Sequence, residues 1–205
     1  MDEQSGDNDA RQHALVSSDF EPLILVDAAD REVGFMSKAR CHEGGGVLHR
    51  AFSLFIFNSE GQLLLQQRSA AKRLWPGYWS NSCCSHPRRG ESLQVATRRR
   101  LWQELGMRCE LSPLFKFRYQ AQFDATGAEN ELCSVYVGSS DGPVRANVHE
   151  IADWCWIDPQ QLQDELQRDA RRFTPWFKIE WARMQTLMCG PLPRAQDASG
   201  AWVSR

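Results

Sequence analysis

Ala51-Phe52-Ser53-Leu54-Phe55-Ile56-Phe57-Asn58-Ser59-Glu60-Gly61-Gln62-Leu63-Leu64-Leu65 reads as an apolar run, a polar turn closed by glycine, and a second apolar run. Short apolar runs bounded by turn residues predict buried strands, so this stretch predicts a hairpin inside a sheet. From Phe115 to Phe123 the pattern alternates. Phe115, Phe117, Tyr119, Ala121 and Phe123 fall on one face, and Lys116, Arg118, Gln120 and Gln122 on the other, as in a half-buried strand. Glu131 to Val137 and Trp154 to Ile157 predict further strands. Ser92 to Leu105 predicts a helix, with Leu93, Ala96, Leu101 and Leu105 at roughly helical spacing, Ser92 at its start and Gly106 as its stop. Asp158-Pro159 and Thr174-Pro175 each place a capping side chain before a proline at the first helical position, predicting two C-terminal helices. Strands and helices mix without strict alternation, so the expected fold is α+β: a mixed β-sheet flanked by helices, an α/β/α sandwich.

A chain of 205 residues, 42% of them hydrophobic, is long enough for one substantial core. The expected domain is 22–190. Residues 1–21 hold six acids against Arg11 alone and predict a disordered acidic arm; 191–205 reads as a loose tail. The whole chain carries −2, which leaves the body only weakly basic. That suits a small anionic ligand and argues against nucleic acid, the Arg98-Arg99-Arg100 cluster notwithstanding. Runs such as Leu54 to Phe57 are far too short to span a bilayer, so no membrane role and a cytoplasmic location are expected. An odd count of seven cysteines without a secretory signal predicts reduced thiols.

Four groups of residues carry chemistry. Glu129 and Glu131, two apart, share one face of a strand that runs on through Cys133, Val135 and Val137. Buried acids require partners, so a cation at the strand's open end is expected. His42 and His49 flank Gly44-Gly45-Gly46, which predicts a loop folding back, and with His86 they could join the acids around a divalent ion. Cys83 and Cys84 lie in a polar, proline-punctuated segment that reads as a loop, where a thiol near a metal or arginines can have a lowered pKa. Arg68, Lys72, Ser85, Arg99 and Arg100 could cradle a phosphate or diphosphate.

Taken together, these pieces resemble a type 1 isopentenyl-diphosphate isomerase. The resemblance rests on His42 and His49, Trp75-Pro76-Gly77, Asn81-Ser82-Cys83-Cys84-Ser85-His86-Pro87, Arg99-Arg100 to Glu104-Leu105-Gly106, Phe117-Arg118-Tyr119, Glu129-Asn130-Glu131, and Thr174-Pro175-Trp176 with Trp181. It spans roughly residues 22 to 190 and implies a Nudix-like fold. The Nudix box itself is degraded: Ser85 stands where the hydrolases have glycine, and Arg100 and Gln103 replace two of their glutamates, leaving Glu104. The resemblance implies that Cys84 and Glu131 are acid/base groups on opposite faces of a carbon-carbon double bond, assisted by Tyr119. It implies that His42, His49, His86, Glu129 and Glu131 hold one divalent ion (Mn2+, Zn2+ or Mg2+), and that Glu104 helps place Mg2+ on the substrate's diphosphate. Arg68, Lys72, Ser85 and Arg100, with Lys38, are expected to bind that diphosphate, and Trp181 to face the carbocation. The expected partner is a small-molecule diphosphate, bound by a monomer or weak homodimer.

Two other classes remain open on sequence alone. A Nudix hydrolase is disfavoured by the lost glutamates. A zinc-stabilised interaction module built on Cys83, Cys84 and His86 is disfavoured because adjacent cysteines lack the C-x2-C spacing of structural zinc sites.

Overall fold

The apolar run at 51–57 is continuous because both faces of its strand are covered. In the computed structural model, which describes residues 10–189, Phe52, Leu54 and Ile56 enter one core with Leu64, Cys83, Leu101 and Leu105. Ala51 and Phe55 enter another with Val135, Phe117, Phe177 and Trp181. Each large apolar side chain so buried contributes roughly 1.5–3 kcal/mol.

The strands are β1 (Pro22–Val26), β2 (Glu32–Ser37), β3 (His49–Phe57), β4 (Leu63–Arg68), β5 (Trp79–Ser80), β6 (Cys83–Ser85), β7 (Leu111–Asp124), β8 (Gly127–Ser139) and β9 (Ile151–Ile157). They form one mixed sheet. β3 and β8 run parallel, from His49 opposite Glu131 to Phe57 opposite Ser139, while β7 and β8 form an antiparallel hairpin. The helices are α1 (Lys38–Cys41), α2 (Leu93–Leu105), α3 (Pro159–Asp169) and α4 (Pro175–Cys189). α2 covers one core, and α3 and α4 the other. The mixed sheet between helices is the expected α+β architecture. The caps of α2 and α3 match as well: Ser92 Oγ accepts from Val95 N, Gly106 closes α2 at φ 65°, and Asp158 accepts from Gln160 N ahead of Pro159. At α4, the Thr174 hydroxyl instead meets Ser80 Oγ at 2.9 Å, tying the helix to β5.

Three features differ from the sequence reading. The β3–β4 hairpin pairs only at Phe57 and Leu63 and then splays, because residues 79–85 wedge between its arms. Ser82 Oγ donates to Leu64 O at 2.7 Å and accepts from Ile56 N at 2.9 Å, and Asn81 Nδ2 donates to Leu54 O at 3.1 Å. The Cys83-Cys84 segment is therefore a packed strand paired with β3, and its polarity reflects side chains that replace missing ladder bonds. Second, the β1–β2 hairpin was not anticipated from sequence. Its turn is held by Asp27, whose Oδ1 accepts from Ala29 N and Arg31 N. Third, residues 10–21, expected to be disordered, pack on the domain from Ala10 onward. Asn147 Nδ2 donates to the carbonyls of Arg11 and Ala14, both at 2.9 Å, and Lys38 Nζ donates to Ser17 Oγ at 2.7 Å. Residues 1–9 of the expected arm and the tail at 191–205 lie outside the described residues.

Gly127 is required where β8 begins. Its φ is 154°, and a Cβ there would lie 2.1 Å from the carbonyl oxygen of His42, which accepts from Ala128 N at 3.0 Å. Gly127→Ala is expected to cost about 3 kcal/mol and lower the melting midpoint by roughly 6–12 °C. An unchanged midpoint in a thermal melt would contradict this close approach.

Candidate active site

Strand register builds the site. Glu131 lies opposite His49 on β3 and opposite Tyr119 on β7, so these three share one sheet face. Residues two and four along β3 from His49 return to that face, and Ser53, four along, pairs with Cys84 on β6. Cys84 and Glu131 therefore project from the same side of the sheet. Both line one cavity of about 250 Å3, together with His42, His86, Tyr119 and Glu129 on the acid side and Arg68, Lys72, Ser85, Lys38 and Arg100 at its basic end. Leu15, Ser17, Ser18 and Asp19 of the N-terminal segment line the cavity too.

The histidine and glutamate atoms converge. His42 Nδ1 lies 2.7 Å from Lys38 O and His49 Nδ1 lies 2.8 Å from Val47 O. A carbonyl only accepts, so each Nδ1 carries a proton and each Nε2 points inward, where giving up its proton would expose the lone pair a metal needs. His49 Nε2 faces His86 Nε2 at 3.1 Å, and His42 Nε2 faces Glu129 Oε2 at 2.7 Å. That oxygen is buried and makes no hydrogen bond. Glu131 Oε1 lies 3.2 Å from His86 Nε2 and 3.5 Å from His49 Nε2. Three imidazoles and two carboxylates so converged fit a divalent cation. His42, His49 and His86, and likewise His49, Glu129 and Glu131, bring ligand atoms within 4.8 Å of one another.

Electrostatics separate the two reacting candidates. Burial favours protonation of Glu131, but hydrogen bonds from His49 and His86 outweigh it and hold the carboxyl well below the usual range. Tyr119 Oη donates to Glu131 Oε2 at 2.7 Å, with the phenol pushed well up by burial and by Glu131. Burial and the charge of His49 bring His86 down to about 4, which keeps it in the neutral, ligating form. A metal or arginines near the Cys84 thiol could lower its pKa. Burial, with the nearby Glu180, instead pushes it up to about 12, because these outweigh the attraction of Arg68. The sulfur is also fixed in place: it donates to Asn81 Oδ1 at 2.8 Å and accepts from Trp176 Nε1 at 3.2 Å.

The remaining expected residues sort by position. Trp181 is only 2% exposed and packs in the core without lining the cavity. Trp176, five residues earlier, lines it beside Tyr119. Arg68 donates to the carbonyls of Leu74 and Trp75 at 2.8 and 3.1 Å and lies 5.2 Å from the Trp176 ring centre. Lys72 pairs with Glu150, a cavity-lining acid that the sequence reading did not single out. Arg100 is 2% exposed, held by Glu104 at 2.7 Å and Glu150 at 3.3 Å. Glu104 itself does not line the cavity; it stands behind Arg100. Burial brings Lys38 down to about 8, with Lys72 adding to the fall. Among the described residues, no helix is long and apolar enough to cross a membrane.

The NUDIX domain family matches residues 47–177. The chain is 49% identical over 157 residues to the isopentenyl-diphosphate Delta-isomerase of Serratia proteamaculans, covering 77% of this chain and 87% of that one. It is 46% identical over 157 residues to the protein of the same name from Burkholderia multivorans, covering 77% and 89%. Among solved structures, DR0079 from Deinococcus radiodurans is similar with TM-score 0.60 at 27% identity, covering 72% of this chain and 90% of that one. A MutT protein from Methanosarcina mazei shares the fold at TM-score 0.56 and 19% identity, covering 70% and 96%. Likeness this high over most of both chains, on a NUDIX scaffold, shows that the chain belongs to the isopentenyl-diphosphate Delta-isomerase family.

Proposed function

We infer that this protein is an isomerase interconverting isopentenyl diphosphate and dimethylallyl diphosphate. The observation that carries this reading is the placement of a protonated thiol, Cys84, and an ionised carboxylate, Glu131, on one sheet face lining one cavity. Cys84 delivers a proton to the terminal carbon of the alkene, and Glu131 removes one from the carbon nearer the diphosphate, leaving the double bond moved by one position. The intermediate is a tertiary carbocation, which survives only where water is excluded and negative charge or an aromatic face is close. Tyr119 holds Glu131 in line. Asn81 and Trp176 hold the sulfur. Arg68, Lys72, Lys38 and Ser85 meet the diphosphate, with Arg100 joining them as its pairs with Glu104 and Glu150 loosen.

His42, His49, His86, Glu129 and Glu131 would hold one divalent ion, of the Mn2+, Zn2+ or Mg2+ range. When bound, it neutralises the clustered carboxylates and fixes the position of Glu131. Glu104, behind Arg100, would help place Mg2+ on the diphosphate, where the ion would offset the diphosphate's charge. The replaced glutamates of the Nudix box, with Arg100 tied to the surviving Glu104, support isomerisation over polyphosphate hydrolysis. We assign the domain to residues 10–189, with the segment 10–19 closing the basic end of the cavity.

Trp176→Leu removes both the aromatic face and the bond to the sulfur. If the ring stabilises the cation by about 2 kcal/mol in the transition state, kcat falls roughly thirtyfold. Trp181→Leu should instead lower the melting temperature with little change in kcat. Equal kcat losses in the two variants would refute the assignment to Trp176. The function is tested by incubating the protein with isopentenyl diphosphate and Mg2+ and following product by NMR. Formation of the allylic isomer is expected; its absence, with phosphate release from nucleotide diphosphates, would replace this reading with a hydrolase.

A further inference from the structure

Helix α4 turns Glu180 as well as Trp176 toward the sheet, the two being four residues apart on one helical face. Glu180 is fully buried, at 0% exposure. Its Oε1 lies 3.6 Å from the Cys133 sulfur, which also lies 3.4 Å from Ser53 Oγ. Ser53 Oγ in turn meets the Cys84 sulfur at 3.7 Å. The other carboxyl oxygen, Oε2, has no hydrogen-bond partner, and among the described residues no cation pairs with Glu180.

A carboxylate buried without a cation costs several kcal/mol, so the neutral acid is the form this position accepts. Burial accordingly pushes Glu180 up to about 8 against the hydrogen bond from Ser53, and the charge of Glu131 adds to the rise. The ionisable groups facing it are Cys133 and Glu131 from β8 and Cys84 from β6, with Ser53 from β3 uncharged. Arg68 acts on Cys84 from β4.

We propose that Glu180 is a positioning residue for the reacting thiol: as a neutral acid it orders Ser53 and Cys133 against Cys84 and keeps a second negative charge away from that end of the pocket. The proposal rests on the isomerase reading and deepens it, because it assigns the alkaline limit of activity to a residue outside the reacting pair. Ionisation of Glu180 places a carboxylate behind the sulfur, where it opposes negative charge on the sulfur as the thiol gives up its proton.

The test compares kcat across pH for the wild type and Glu180→Gln, which keeps the shape and an acceptor oxygen but cannot ionise. Wild-type kcat is expected to fall above about pH 8, whereas Glu180→Gln stays within about threefold of wild type at neutral pH and lacks that fall. Coincident alkaline limbs would overturn the proposal. Infrared difference spectra across the same range provide a readout independent of turnover. A protonated-carboxyl band should disappear near pH 8 in the wild type and be missing from Glu180→Gln; a wild type without the band overturns the proposal. Should the glutamine variant fail to fold, Ser53→Ala decides. With the link cut and Glu180 in place, kcat should drop about tenfold at unchanged KM, and an unchanged kcat counts against the link. If the wild type makes no allylic product, the isomerase reading fails, while the infrared band still reports the charge of Glu180. If it turns over and the limbs coincide, only the role of Glu180 fails.

Discussion

Cys84→Ala is expected to lower kcat by about 10^3-fold or more while KM changes little, since a positioned general acid contributes about 10^2 to 10^4. The thiol sits between Asn81 Oδ1 and Trp176 Nε1, and alanine removes the proton donor without adding bulk. Loss of one sulfur from a half-buried position leaves the fold intact, so circular dichroism should match the wild type. Cys83→Ala provides the contrast. That neighbour faces the opposite core with Leu101 and Leu105, so its loss should cost stability and spare kcat. Turnover near the wild-type rate in Cys84→Ala would remove the thiol from the mechanism.

Glu131→Gln is expected to have the other large effect, because one substitution removes both a base and a metal donor. The carboxylate accepts from Tyr119 and faces His49 and His86, and an amide turns one acceptor oxygen into a donor aimed at those same nitrogens. Activity should fall by about 10^4-fold, and elemental analysis should show less bound divalent metal than in the wild type. Tyr119→Phe keeps the carboxylate and loses one hydrogen bond, so a loss of about tenfold with full metal content is expected. Full metal content and near-normal kcat in Glu131→Gln would show that the acid serves neither role.

Local sequence was enough to locate most of the sheet and helices. Alternation from Phe115 to Phe123, the Ser92 and Gly106 ends of α2, and the apolar run at 51–57 with its polar turn are each patterns within a few residues. What failed depends on partners far along the chain. Cys83-Cys84 looked like a loop because Asn81 and Ser82 are polar, yet those side chains bond Leu54, Ile56 and Leu64. Trp176 and Trp181 both suit the inner surface of one helix, and periodicity cannot say which lies over the pocket. That depends on the anchoring of α4 at β5 through Thr174 and Ser80. The acidic residues of 1–21 suggested disorder, and only the presence of Asn147, Lys38 and Arg100 shows why residues 10–19 have somewhere to bind.

The candidate site was visible as residue types but not as geometry. Glu129 and Glu131 were legible as a pair on one face, and the parallel register that brings His49 beside Glu131 was not. A metal or arginines beside the thiol can lower its pKa, but burial, which the sequence does not show, pushes it up. Glu180 gave no signal in the chain, because a single acid in a helix is ordinarily solvated, and only packing against β8 shows that it is not.

The central claim is that Cys84 adds a proton to the alkene and Glu131 takes another away. Running the reaction in deuterium oxide with enzyme pre-equilibrated in that solvent, stopping it at low conversion and locating the label by NMR tests it most directly. One deuterium should appear in the newly formed methyl group of dimethylallyl diphosphate with the wild type, and no labelled product with Cys84→Ala. Allylic product without deuterium would show that the hydrogen migrates within the substrate, and would contradict the mechanism.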